Sequence, residues 1–210
     1  DNMDGLSSGI ASIVLISFTY ISFMQNNAMI FLISTSLLGA CLGFLIFNFN
    51  PAKIFMGDSG SLFIGLLLSI ISLQINGNET NVFATLLVPT LLLVFPIFDT
   101  TLVTLNRMLN KTPVSKGGVD HTSHRLVSLG ISEKNVVLIL YIISISFCFT
   151  AVFFSNHGIR TWVLISVLTL LGLGITGLFL SYYSNNEPRL LTPNNDLNYL
   201  SRTIVQYKKQ

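Results

Sequence analysis

The sequence predicts an all-α polytopic membrane protein with about six transmembrane helices, and three observations predict it. Of 210 residues, 51% are hydrophobic and only 10% charged, where an average soluble domain carries roughly 25% charged residues. The mean hydropathy is +0.70. The apolar residues fall into runs of bilayer length, and the charged ones fall almost entirely between them, on one side.

A crossing needs about 17 to 25 mainly apolar residues, and six runs qualify: Leu6 to Met24, Ala28 to Phe47, Ser59 to Ile75, Val82 to Leu105, Val136 to Ser155 and Thr161 to Tyr183. The third reaches full length only if its helix starts near Asp58, because Gly60 and Gly65 weaken its first turns. Gly39 and Gly43 form a small-xxx-small pair on the second run that permits close helix contact. A homodimer is the partner arrangement that pair would serve. Residues 1–183 read as the membrane-embedded domain. The polar stretch 184–210, with Pro188 and Pro193, reads as a cytoplasmic tail.

Orientation follows from charge. The connections at Gln25 to Asn27, Asn76 to Asn81 and Asn156 to Arg160 are short and hold one basic residue, Arg160. The other connections and the tail hold ten of the eleven basic residues: Lys53, Arg107, Lys111, Lys116, Arg125, Lys134, Arg189, Arg202, Lys208 and Lys209. By the positive-inside rule that face is cytoplasmic. A net charge of +2 gives no case for nucleic acid. Cys41 and Cys148 sit inside apolar runs, which suits packing better than a disulfide or a metal. His157 and Arg160 belong to an interfacial turn on the opposite face. The chain opens on Asp1 without signal-peptide features and reads as truncated upstream.

Three polar segments fall on the cytoplasmic face. Asp1-Asn2-Met3-Asp4-Gly5-Leu6 places two carboxylates three residues apart, suited to a divalent cation or a nucleoside; Asp before an apolar run is also an ordinary helix cap. Asn48-Phe49-Asn50-Pro51-Ala52-Lys53-Ile54-Phe55-Met56-Gly57-Asp58-Ser59-Gly60-Ser61 puts a carboxylate at a helix start between glycines. That suits a phosphate and the Mg²⁺ accompanying it, with capping by Asp58 as the plainer alternative. Asn48, Asn50 and Lys53 are further polar groups beside the bilayer, where unpaired ones are costly. The third segment, Lys116-Gly117-Gly118-Val119-Asp120-His121-Thr122-Ser123-His124-Arg125-Leu126, offers two imidazoles and a guanidinium to a diphosphate. Zinc is the competing chemistry there, but only Asp120 is near as a further ligand. Asp99 is an intramembrane carboxylate and hence a functional candidate. Arg107 is its alternative, purely structural, partner.

These segments, in this order, resemble the polyprenyl-phosphate N-acetylhexosamine-1-phosphate transferases, glycosyltransferase family 4, the superfamily of phospho-MurNAc-pentapeptide translocase. Asp1 to Gly9 is similar to the family's Asp-Gly-x-Asp-Gly-Leu segment. Asn48 to Leu62 is similar to its Asn-x-x-Pro-Ala-x-x-Phe-Met-Gly-Asp-x-Gly-Ser-Leu segment, which is long and specific. His121 to Leu126 is similar to its His-rich loop. The likeness covers the chain up to about Ser184. It departs at Asn2, where many relatives have Gly, and in reading His-Thr-Ser-His, which points towards the GlcNAc-1-phosphate type. The family's paired-Asp motif and preceding helices would lie upstream of Asp1.

The resemblance implies cytoplasmic catalytic loops in a bacterial inner membrane and transfer of a HexNAc-1-phosphate, GlcNAc-1-phosphate first, from a UDP-sugar to undecaprenyl or another polyprenyl phosphate. It implies Mg²⁺, with Mn²⁺ as an alternative, held by Asp58. Asp1 and Asp4 would serve the nucleotide or metal site, and Asn48 and Lys53 the UDP-sugar pocket. His121, His124 and Arg125 would engage the diphosphate or sugar. The rival readings are a transporter, which predicts charges near mid-bilayer and broken central helices, and an inactive structural partner.

Overall fold

The computed structural model describes residues 1–75, 82–109, 111, 113 and 120–156. Over these the chain is all-helical, with seven helices: α1 Leu6–Met24, α2 Ala28–Asn48, α3 Gly57–Gln74, α4 Val82–Leu92, α5 Val94–Leu109, α6 Thr122–Ser128 and α7 Glu133–Asn156. Four of them, α1, α2, α3 and the Glu133–Phe153 part of α7, are long and apolar enough to cross a membrane. The chain is a multi-pass membrane protein. The expected sixth span, Thr161 to Tyr183, and the boundary at residue 184 lie outside the described residues.

α1 and α2 form at the expected positions, and the link between them explains why. Asn26 adopts the left-handed conformation at φ 54, and the Asn27 side chain accepts the Ile30 N–H at 3.3 Å, capping α2. α2 ends at Asn48, where Phe49 turns extended ahead of Asn50-Pro51. α3 begins at Gly57, whose φ of 68 favours glycine, and so reaches the length its weak sequence signal left open.

The single span expected over Val82 to Leu105 is interrupted at Leu93, between α4 and α5, although the Leu93 N–H still donates to the Pro89 carbonyl at 3.0 Å and the Ile97 N–H to the Leu93 carbonyl at 3.1 Å. Proline is the reason. Pro96 has no N–H to offer the Leu92 carbonyl, so one bond of the helical ladder is missing there. The released Leu92 carbonyl faces the Cys148 thiol of α7 at 3.9 Å, a weak partner but one supplied from within the protein.

α1 is the central helix. It packs most extensively on α2 and next on α7, and α4 and α6 also lie against α7. Phe18, Leu15, Val14 and Ile21 of α1 are closed off from solvent together with Ile71, Leu91, Val136, Val137 and Leu140. α2 has the opposite character: Leu32, Ile46 and Phe47 point outward, as befits a helix facing lipid. The start of α1, the end of α2, the start of α3, α6 and the start of α7 are tied together at one end of this bundle.

Candidate active site

The ties begin at Asn48, the last residue of α2 and 3% exposed. Its Oδ1 accepts the Gly5 N–H at 3.0 Å and the Ser8 hydroxyl at 3.2 Å, and its Nδ2 donates to the Ile54 carbonyl at 2.9 Å. A buried amide must find partners at both ends, and here those partners lie on two other segments, the start of α1 and the 49–56 loop. Asn48 thus joins α1, α2 and the 49–56 loop. Asp4 adds a second tie, its Oδ2 accepting the Ala52 N–H at 2.9 Å.

Helix capping accounts for neither candidate carboxylate. The residue capping α1 is Gly5, and α3 follows Met56 with no side-chain cap. Asp58 lies exposed in the first turn of α3. Asp1 is exposed. Lys53 is exposed on the loop, whose path is held by its N–H donating to the Phe47 carbonyl at 2.8 Å.

The His-bearing segment closes on the same end. Asn2 Nδ2 donates to Ser123 Oγ at 3.0 Å, and Asn50 Nδ2 donates to Glu133 Oε2 at 3.4 Å. Asp99 meets His121 Nδ1 at 2.7 Å through Oδ2 and accepts the Thr122 N–H at 2.7 Å through Oδ1. Arg107 is not its partner: that guanidinium grips Asp120 with Nε and Nη2, both at 2.7 Å. The pair holds the Asp120 carboxyl below its usual range, chiefly through the hydrogen bond from Arg107, against the opposing effect of burial.

Arg125 is buried, its Nε donating to the Asp120 carbonyl at 3.0 Å. Its Nη1 is closed off from solvent with no protein partner among the described residues. His124, half-buried in α6, titrates below the ordinary histidine value, first because burial disfavours the cation and second because His121 is near; Asp99 and Asp120 oppose the shift.

Among the described residues, no group of three or more His, Cys, Asp or Glu gathers as a metal cage. A divalent ion such as Mg²⁺ does not need one, since it is commonly held by one or two carboxylates plus water and substrate phosphates. Asp58, exposed and without a capping role, fits that mode. Asp99, with both oxygens engaged, does not. Zinc at the two histidines gains no support, because Asp120 is committed to Arg107.

Sequence reading singled out Asp99 but missed its partners, and it missed the roles of Thr122, of Ser123 and of Tyr141, whose hydroxyl donates to the Gly5 carbonyl. Only the intramembrane carboxylate gave any signal. The other contacts join residues far apart in the chain.

Residues 1–76 match the family described as Glycosyl transferase family 4. Over 171 residues the chain is 36% identical to the "probable undecaprenyl-phosphate N-acetylglucosaminyl 1-phosphate transferase" of Bacillus subtilis, covering 81% of this chain and 47% of that protein. Over 161 residues it is 37% identical to the decaprenyl-phosphate N-acetylglucosaminephosphotransferase of Mycobacterium tuberculosis, covering 68% of this chain and 40% of that one. A phospho-N-acetylmuramoyl-pentapeptide-transferase of Streptococcus mutans is 44% identical over 80 residues, 38% of this chain and 24% of that protein. The chain spans less than half the length of each of these relatives. No solved structure matches it.

Proposed function

We propose, for a chain whose residues 1–76 belong to glycosyl transferase family 4, that the protein containing it transfers GlcNAc-1-phosphate from UDP-GlcNAc to a polyprenyl phosphate and releases UMP. The observation that carries this reading is the meeting of three polar segments, 1–5, 48–58 and 120–125, at one end of an apolar bundle. A lipid phosphate in the bilayer and a nucleotide sugar in water can meet only at such a boundary. The names of the Bacillus and Mycobacterium relatives supply the sugar and the acceptor class. The basic residues of these connections favour a cytosol-facing site in a bacterial inner membrane.

In the reaction, an oxygen of the polyprenyl phosphate bonds to the β-phosphorus of the UDP-sugar while the bond from that phosphorus to the bridging oxygen breaks. UMP leaves with that oxygen, and the sugar remains on a polyprenyl diphosphate. The protein's tasks are positioning and charge neutralisation. Arg125 brings a guanidinium edge to a phosphate oxygen. His121 and His124 donate hydrogen bonds or move a proton at the diphosphate. Lys53 adds positive charge at the UDP-sugar, and Asp1 and Asp4 serve the nucleotide side. Asn48 shapes the pocket wall. Asp58 would hold Mg²⁺ or Mn²⁺, which supplies charge neutralisation on the diphosphate when bound.

The test is transfer of label from β-³²P-UDP-GlcNAc to undecaprenyl phosphate by the full-length protein in membranes, with and without Mg²⁺, beside Asp58→Asn. Mg²⁺-dependent lipid labelling that Asp58→Asn abolishes is the expected result. Labelling only from another UDP-HexNAc changes the sugar; none from any donor overturns the function.

A further inference from the structure

Asp99 of α5 is 9% exposed and commits both oxygens to one short stretch of chain: Oδ2 to His121 Nδ1 at 2.7 Å and Oδ1 to the Thr122 N–H at 2.7 Å. We infer that Asp99 is a positioning residue of the transferase site that acts through His121, an inference resting on the function proposed above. An ionised carboxylate only accepts hydrogen bonds, so the hydrogen in this contact is on Nδ1. That fixes the ring plane and leaves Nε2 facing the substrates, as an acceptor from a sugar hydroxyl when the ring is neutral and as a donor to a diphosphate oxygen when it is protonated. The His121 side chain is 27% exposed, so the ring is not sealed behind Asp99.

The second oxygen does different work. His121 stands at the N-cap of α6 but makes no side-chain cap, and Thr122 contributes the first amide of that helix. Asp99 supplies the missing acceptor from α5. One carboxylate therefore sets both the His121 ring and the start of the short helix carrying His124 and Arg125. Arg107, the nearest alternative cation along α5, is held by Asp120. A buried carboxylate is costly unless its oxygens are hydrogen-bonded, and the His121–Thr122 step satisfies both.

The experiment follows kcat and KM for the labelled transfer in the full-length protein, for Asp99→Asn, His121→Ala and the double variant. The ring-nitrogen NMR of ¹⁵N-histidine protein is recorded beside them. Asp99→Asn is expected to lower kcat by about 10–100-fold, the order of loss known for groups that orient metal-bound histidines, with a smaller change in KM. It should add almost nothing to His121→Ala, and the His121 ring should lose its Nδ1–H tautomer. Asp99→Glu, which keeps an acceptor on a longer arm, should retain the tautomer and recover part of kcat. It also carries both readings if Asp99→Asn fails to fold. An active wild type whose losses multiply in the double variant, or a tautomer indifferent to Asp99→Asn, overturns the positioning role. Because the spectrum needs no turnover, an Asp99-dependent tautomer in a wild type that transfers nothing overturns the transferase reading instead.

Discussion

Asn48 accepts the Gly5 backbone N–H at 3.0 Å across 43 residues of sequence, and its other end holds the Ile54 carbonyl. Truncating it strands buried polar groups, each costing about 1–3 kcal/mol. Asn48→Ala should therefore lower the melting temperature and the transferase activity together. Thermal unfolding in detergent beside the lipid-labelling assay checks this. Lost activity with an unchanged melt would make Asn48 a substrate contact instead of a clamp.

Asp58→Asn should behave in the opposite way. The carboxylate is exposed and caps nothing, so its replacement should leave stability within about 0.5 kcal/mol, as for most surface changes. Mg²⁺-dependent labelling should disappear. A large fall in melting temperature would show that Asp58 supports α3, not the metal.

The contrast between these residues marks what was legible in the sequence. Helices α1 and α2 follow from uninterrupted apolar runs and an Asn-rich link, so the expected limits agree with the structure to within a residue. The Val82 to Leu105 run was equally apolar but carried Pro89 and Pro96, and the break at Leu93 is a backbone effect that hydropathy does not register. In the site, single residues were visible because charge beside a bilayer is conspicuous. Their pairing was not. Arg107 lies two helical turns from Asp99 on α5, and only the return of the chain through α6 gives Asp99 to His121 and Arg107 to Asp120. Asn2, a departure from the family pattern, acquires a reason in its bond to Ser123.

Asp120 should make stability acid-sensitive. Its carboxyl, held below the ordinary value of 3.8 by the Arg107 hydrogen bond, binds a proton less readily folded than unfolded. The contribution is fully present above the unfolded value and is lost as pH falls through the lower, folded one. The melting-temperature gap between wild type and Asp120→Asn should be constant from pH 7 to about pH 5 and close below pH 4. A gap indifferent to pH would mean that the carboxylate charge is irrelevant there.

His124 should act at a higher pH. Burial keeps its folded value below the ordinary 6.5, so the unfolded chain takes up the proton first on acidification. Stability associated with the neutral ring is present above that value and falls as pH drops below it. Wild type should therefore lose melting temperature as pH falls below about 6.5, and His124→Gln should lose less over the same range. Parallel curves for the two proteins would refute the assignment.

Gly9 tests the packing on which the site stands. A Cβ built there would lie 1.8 Å from the Tyr141 hydroxyl oxygen and 2.1 Å from its Cζ, so α7 brings a ring directly against the α1 backbone. The same hydroxyl donates to the Gly5 carbonyl, one turn earlier and beside the Asn48 clamp. Gly9→Ala must displace the ring and should cost about 1–3 kcal/mol, the usual penalty for overpacking. Activity should fall with it, because the bond to Gly5 steadies the 1–5 segment. Tyr141→Ala removes the obstacle, so in the double variant the two losses should sum to less than their separate values. A double-mutant cycle on unfolding measures this. Strict additivity would mean that α1 and α7 shift apart to admit the methyl group, and that the start of α1 is not fixed by Tyr141.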